Sequence, residues 1–96
     1  MARPKALEIA EIEAKLANLD GWALIDGKLH REFQFANFVE AFGFMASTAL
    51  VAEKMDHHPE WSNVYNRVRV DLTTHDADGI TELDFELAAA MNDAVG

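Results

Sequence analysis

A chain of 96 residues with 17 acidic against 8 basic side chains, a net charge of −9 and no cysteine has room for one domain and a small core. It has no means of building a disulfide framework, a thiolate metal site or a cysteine nucleophile. Direct nucleic-acid binding and attachment to an anionic membrane surface, which rely on Lys and Arg, are disfavoured. No apolar run approaches the ~20 residues of a membrane span, and the opening Met1 to Glu8 turns acidic too soon for a secretory signal. The expectation is a single domain over 1–96, located in the cytoplasm.

Pro4 suits the first turn of a helix, and Leu7, Ile9, Ile12, Leu16 and Leu19 follow at roughly helical spacing. Asp20-Gly21 is expected to stop that helix. Trp22 to Ile25 and Leu29 to Phe35 flank Asp26-Gly27, which predicts a hairpin because the turn needs positive φ. In the second arm Leu29, Arg31, Phe33 and Phe35 share one face and His30, Glu32 and Gln34 the other.

Asn37 can cap a long helix running to about Met55. Phe38, Phe42, Met45 and Ala49 form one apolar stripe; Ala41, Phe44, Thr48 and Val51 form another. A helix this apolar around its circumference is buried on more than one side, so one side is expected on the sheet and the other on a second subunit, with Phe44 at that interface. The alternative is that the terminal helices cover it. Pro59 ends the helix before the histidine pair and drives His58 toward extended backbone. Val64, Val68, Val70 and Leu72 then alternate with polar residues as one or two strands broken near Asn66. His75 to Gly79 reads as loop. A last helix starts at Thr81, with Leu83, Leu87, Ala90 and Met91 inward. The order predicts an α+β fold: a four-stranded antiparallel sheet with three helices on one face.

Chemistry concentrates in Glu53-Lys54-Met55-Asp56-His57-His58-Pro59-Glu60-Trp61 and at His75. Histidine exchanges protons near neutral pH, and His75 stands where a strand gives way to loop, a place from which rigid frames present functional side chains. The competing structural reading makes His57 and His58 partners of a helix C-terminus, His75 a solvated turn residue, and Glu53 an exposed helix residue. Trp61 serves equally as core or as a stacking surface. Thr81-Glu82-Leu83-Asp84 resembles a capping box, which explains Asp84 without chemistry. The spacing matches no known zinc motif, so no metal is expected. His30 is read as structural.

Taken together, Glu53, His57-His58-Pro59, Tyr65, His75 and Asp84 at their spacing, with Gly21-Trp22, Phe33 and Phe35, Asn63-Val64-Tyr65-Asn66 and Thr74-His75, resemble the pterin-4a-carbinolamine dehydratase family over essentially the whole chain. The resemblance implies a lyase that eliminates water from 4a-hydroxytetrahydropterin to give quinonoid dihydropterin, recycling the cofactor of aromatic amino acid hydroxylases without any cofactor of its own. It implies that His57, His58 and His75 line the site. His57 and His75 are taken as the proton-transfer pair and His58 as positioning the 4a hydroxyl. Pro59, Trp61, Thr74, Asp76 and Ala77 are expected to shape a flat pterin slot, and Glu53, Asp56 and Asp84 to support it; Asp56, Glu60 or Asp76 is expected to hold a ring in its active tautomer. Homodimers or homotetramers through the 37–55 helix are implied. Two alternatives stand beside the enzyme: a non-enzymatic module that binds a protein partner through that helix, as animal members do with a homeodomain transcription factor, and a related enzyme of molybdopterin metabolism.

Overall fold

The computed structural model describes residues 4–96, so part of the opening Met1 to Glu8 segment lies outside the described residues. Among the described residues the order is α1 (Ile9–Leu16), β1 (Ala23–Ile25), β2 (Lys28–Gln34), α2 (Phe38–Met55), β3 (Glu60–Val64), β4 (Arg67–Leu72), a 3-10 turn (His75–Ala77) and α3 (Glu82–Val95). The strands form one antiparallel sheet in the order β1-β2-β4-β3. This is the expected α+β arrangement, with the broken strand resolved into two.

Ile25 pairs with Lys28 across Asp26-Gly27, and both turn residues have positive φ, 52° and 77°. That is the backbone a two-residue type I′ turn requires. The second hairpin closes over Tyr65-Asn66, with Val64 opposite Arg67. Tyr65 there takes φ 50°, a costly conformation for a bulky residue. The turn is held from both sides: Asn63 Nδ2 donates to the carbonyls of Tyr65 and Arg67, and Asn66 Nδ2 donates to that of Phe35.

One face of the sheet is apolar. Leu29, Phe33, Val68, Val70 and Leu72 are buried, and the register puts Leu29 opposite Leu72 and Phe33 opposite Val68. Each such side chain contributes about 1.5–3 kcal/mol by leaving water. The helices lie on this face, while Glu32, Gln34, Arg67 and Arg69 on the other face remain exposed. Trp22 closes one end of the core: its ring meets Phe33 edge-on and Nε1 donates to Asn92 Oδ1 at 2.8 Å.

Three expectations are corrected. The first helix starts at Ile9, not near Pro4. A capping box between Glu8 and Glu11 begins it, and the residues before it are drawn off by a bond from Leu7 N–H to the Ile80 carbonyl. On α2, Ala41, Phe44, Thr48 and Ala52 face inward; Phe44 packs against Phe33 and Phe35 at 4.7 and 5.2 Å between ring centroids, so it is core rather than interface. Phe38, Val39, Phe42, Leu50 and, from the expected Phe44 stripe, Val51 are exposed instead. On α3, Leu87 and Met91 are buried as expected, together with Asp84, Phe85 and Ala88, whereas Leu83 and Ala90 are only partly covered. No helix among the described residues is long and apolar enough to cross a membrane.

Candidate active site

The site starts from how α2 ends. Asp56 adopts φ 52°, the left-handed conformation. Its N–H donates to the Glu53 carbonyl, and the N–H of His57 reaches back to that of Ala52. This pair of bonds is a Schellman motif, with aspartate where glycine is usual. The residue after the left-handed one folds back against the last turn, so His57 is buried (4% exposed) while His58 projects outward. The helix therefore stops at its own cap, three residues ahead of Pro59.

Beneath His57 lies Asp84, fully buried. Its Oδ1 accepts from His57 Nε2 at 2.5 Å. Its Oδ2 accepts from the Thr81 N–H at 2.9 Å and from Thr74 Oγ1 at 2.8 Å. Thr81 Oγ1 in turn is within 2.8 Å of Thr74 Oγ1 and accepts from the Leu83 N–H. The capping box is present as read from the sequence, and the same carboxylate also holds a histidine 27 residues away. A buried carboxylate needs this many donors to offset its desolvation.

The other two histidines have carboxylate partners as well. His58 Nε2 bonds Glu53 Oε1 at 2.8 Å, and His75 Nε2 bonds Glu60 Oε2 at 3.1 Å. An ionised carboxylate only accepts, so in all three rings Nε2 carries the hydrogen and the neutral ring keeps its lone pair on Nδ1. His30 differs: its Nδ1 meets Asp71 Oδ1 at 2.8 Å, across strands β2 and β4. Glu60 also receives Lys28 Nζ on Oε1 at 2.6 Å. The hydrogen bond from Lys28 lowers the Glu60 pKa below its ordinary value against the opposing effect of burial, with a smaller contribution from His75. Lys28 is raised in return, chiefly by the bond to Glu60.

His57, His58 and His75 line one cleft of about 170 Å³ with Asp56, Thr73 and Asp76. Of the residues read from the sequence, the structure thus brings Asp56, Asp76 and the three histidines together on the cleft wall, with Glu53 and Asp84 behind two of the rings. Pro59, Trp61, Thr74 and Ala77 are not in that lining: Trp61 packs against the core and Thr74 turns inward to Asp84. Thr73, at the end of β4, and Lys28 were not singled out by sequence. A lysine opening the second arm of a hairpin carries no local signal of a partner 32 residues away. A roomier cleft of about 650 Å³ lies elsewhere, between β2, α2 and α3, and no histidine lines it. Among the described residues no group of three or more His, Asp or Glu is disposed to hold a metal ion.

Comparison with known proteins adds to this geometry. Residues 5–94 match the family model described as pterin 4 alpha carbinolamine dehydratase. A protein of Rhizobium leguminosarum bv. trifolii is 62% identical over 90 residues, covering 92% of this chain and 89% of its own. One of Solibacter usitatus is 57% identical over 86 residues, covering 90% of each chain. Both are provisionally named pterin-4-alpha-carbinolamine dehydratase. The crystal structure of a transcriptional coactivator/pterin dehydratase from Brucella melitensis superimposes with a TM-score of 0.93 at 51% identity, over 96% of this chain and 100% of that one.

Proposed function

The chain belongs to the pterin-4a-carbinolamine dehydratase family, and on that premise we propose that it eliminates water from a 4a-hydroxytetrahydropterin, with proton transfer carried by its three clustered histidines. The observation that carries the reading is their convergence on one cleft, each ring backed at Nε2 by its own carboxylate.

The reaction breaks the C4a–O bond. A general acid gives a proton to the departing oxygen, which leaves as water. A general base takes the proton from the adjacent ring nitrogen, whose electron pair forms the new C4a=N bond. No net proton is gained or lost by the protein. His57 suits the base: when its Nδ1 takes a proton, the buried Asp84 carboxylate stabilises the imidazolium, as in other Asp–His pairs. His75 suits the acid as its imidazolium: with Nε2 held by Glu60, Nδ1 carries the proton that is given up, and the exposed ring regains it from water. His58 positions the hydroxyl. Asp56 and Asp76 border the slot, and Thr74 helps hold Asp84 behind His57. A cleft of about 170 Å³ is smaller than the ~300–1,000 Å³ of an enclosing ligand pocket, so it holds the reacting edge of a flat ring. The test is turnover: chemically generated 4a-hydroxytetrahydropterin should lose water far faster with the chain present, followed by ultraviolet absorbance, and the acceleration should survive a chelator. No acceleration over the spontaneous rate would move the function to the partner-binding reading.

The exposed face of α2 supports a homodimer or homotetramer. Phe38 and Phe42 pack ring to ring on this helix, and with Val39 and Leu50, 78% and 75% exposed, they leave apolar surface uncovered, a feature that marks an interface. The same face suits a protein partner, a reading favoured by the coactivator name of the Brucella melitensis structure. Phe42→Glu is expected to lower the mass in solution while leaving the circular dichroism unchanged; an unchanged mass would remove this face from the assembly. Phe44→Glu is not a usable probe, since it places a charge in the core.

A further inference from the structure

One carboxylate links the candidate site to the far hairpin. Glu60 opens β3 and uses both oxygens: Oε1 receives Lys28 Nζ at 2.6 Å and Oε2 meets His75 Nε2 at 3.1 Å. Lys28 in turn is placed by backbone, because it opens β2 opposite Ile25 across the Asp26-Gly27 turn. Lys28 and His75 also line a second cleft of about 250 Å³ with Asp26, Thr73 and Asp78, and Thr73 and His75 belong to the histidine cleft too. The hairpin turn is thus the outer wall of the region where His75 works.

We infer that Lys28 is a positioning residue for His75, acting through Glu60: the ammonium grips one carboxylate oxygen and so presents the other to the imidazole. A glutamate held only by an exposed histidine would sample several rotamers. Held from two sides it has one, and the ring it bonds keeps its hydrogen on Nε2, which leaves Nδ1 as the nitrogen that exchanges the proton. The charged groups about Lys28 are consistent with this, since Glu60, Asp71 and Asp26 all favour its ammonium form. About His75 stand Glu60, Asp76, Asp78, Asp26 and Lys28. The lysine–glutamate pair is half exposed, with side chains 38% and 40% accessible, so its worth to overall stability is small; its consequence lies in where Glu60 points.

The inference rests on the proposed role of His75 for its kinetic readout and stands apart from it for its structural one. Lys28→Met should shift the neutral His75 ring-nitrogen resonances, recorded in ¹⁵N-histidine-labelled protein at alkaline pH. It should also lower kcat roughly 10-fold, a part of what a placed acid contributes, with KM within about 2-fold and Tm unchanged. Lys28→Arg should restore both readouts. In a Glu60→Gln background Lys28→Met should cost nothing further. Unchanged ring resonances, unchanged kcat, or losses that multiply in the double variant would each overturn the inference. If the wild-type chain proves inactive on the pterin, the ring resonances decide alone: shifted by Lys28→Met upholds the link, unshifted ends it.

Discussion

His75→Ala is expected to lower the rate of dehydration by at least ~10²-fold, the lower bound of what a well-placed general acid supplies, and to leave Tm within a few degrees. The second half follows from position. The His75 side chain is 80% exposed and its bond to Glu60 is a surface pair, which contributes about 0–1 kcal/mol at most. His57→Ala is expected to lose activity at least as severely, but it is not as clean. That ring is buried against Asp84, so its removal also strips a donor from a carboxylate with no access to water. Activity lost in His57→Ala must therefore be read beside its folded fraction, whereas a loss in His75→Ala is chemical. Near wild-type turnover in His75→Ala would remove this residue from the proton path.

Asp84→Ala should be the most damaging single change to stability, because each buried donor left without an acceptor costs about 1–3 kcal/mol. Three donors lose by it: the His57 ring, the Thr74 hydroxyl and the Thr81 N–H, the last being the cap that starts α3. A domain with a total stability of about 5–15 kcal/mol is left marginal or unfolded. Thr81→Ala makes the comparison, because it removes one hydroxyl of the cap and should cost nearer ~1 kcal/mol. Chemical denaturation of both variants decides the matter. Equal midpoints would mean that Asp84 is only a cap, as its sequence context alone suggests, and that His57 does not depend on it.

That contrast shows how much was legible before the structure. Local signals held where the physics is local. Asp26-Gly27 forms the tight turn, Asn37 caps α2 by accepting from Glu40, and Thr81 with Asp84 starts α3. Signals that require knowing what lies across the fold did not reach far enough. Periodicity separated two apolar stripes on α2, but a period carries no direction, and Phe44 faces the sheet instead of a second subunit. The end of α2 at Met55 was legible from Pro59, but the stop itself is made by Asp56 in a left-handed conformation, which was not. The start of α1 depends on Glu8 acting as a cap and on Leu7 being drawn to Ile80. The histidines were found because their residue type and spacing are unusual. Which carboxylate serves which ring was only partly visible: Glu60 was among the expected holders, whereas Asp84 reached His57 from 27 residues on and Lys28 reached Glu60 from 32.

The cleft itself is tested most directly by watching the four histidine rings during titration with a stable, fully oxidised pterin. His30 is the internal control, since it lies outside the histidine cleft, paired with Asp71 across β2 and β4. The account predicts that the ring resonances of His57, His58 and His75 move together along one saturating curve while those of His30 stay fixed. Saturation with all four rings unmoved, or movement of His30 alone, would contradict it and put the pterin elsewhere on the molecule.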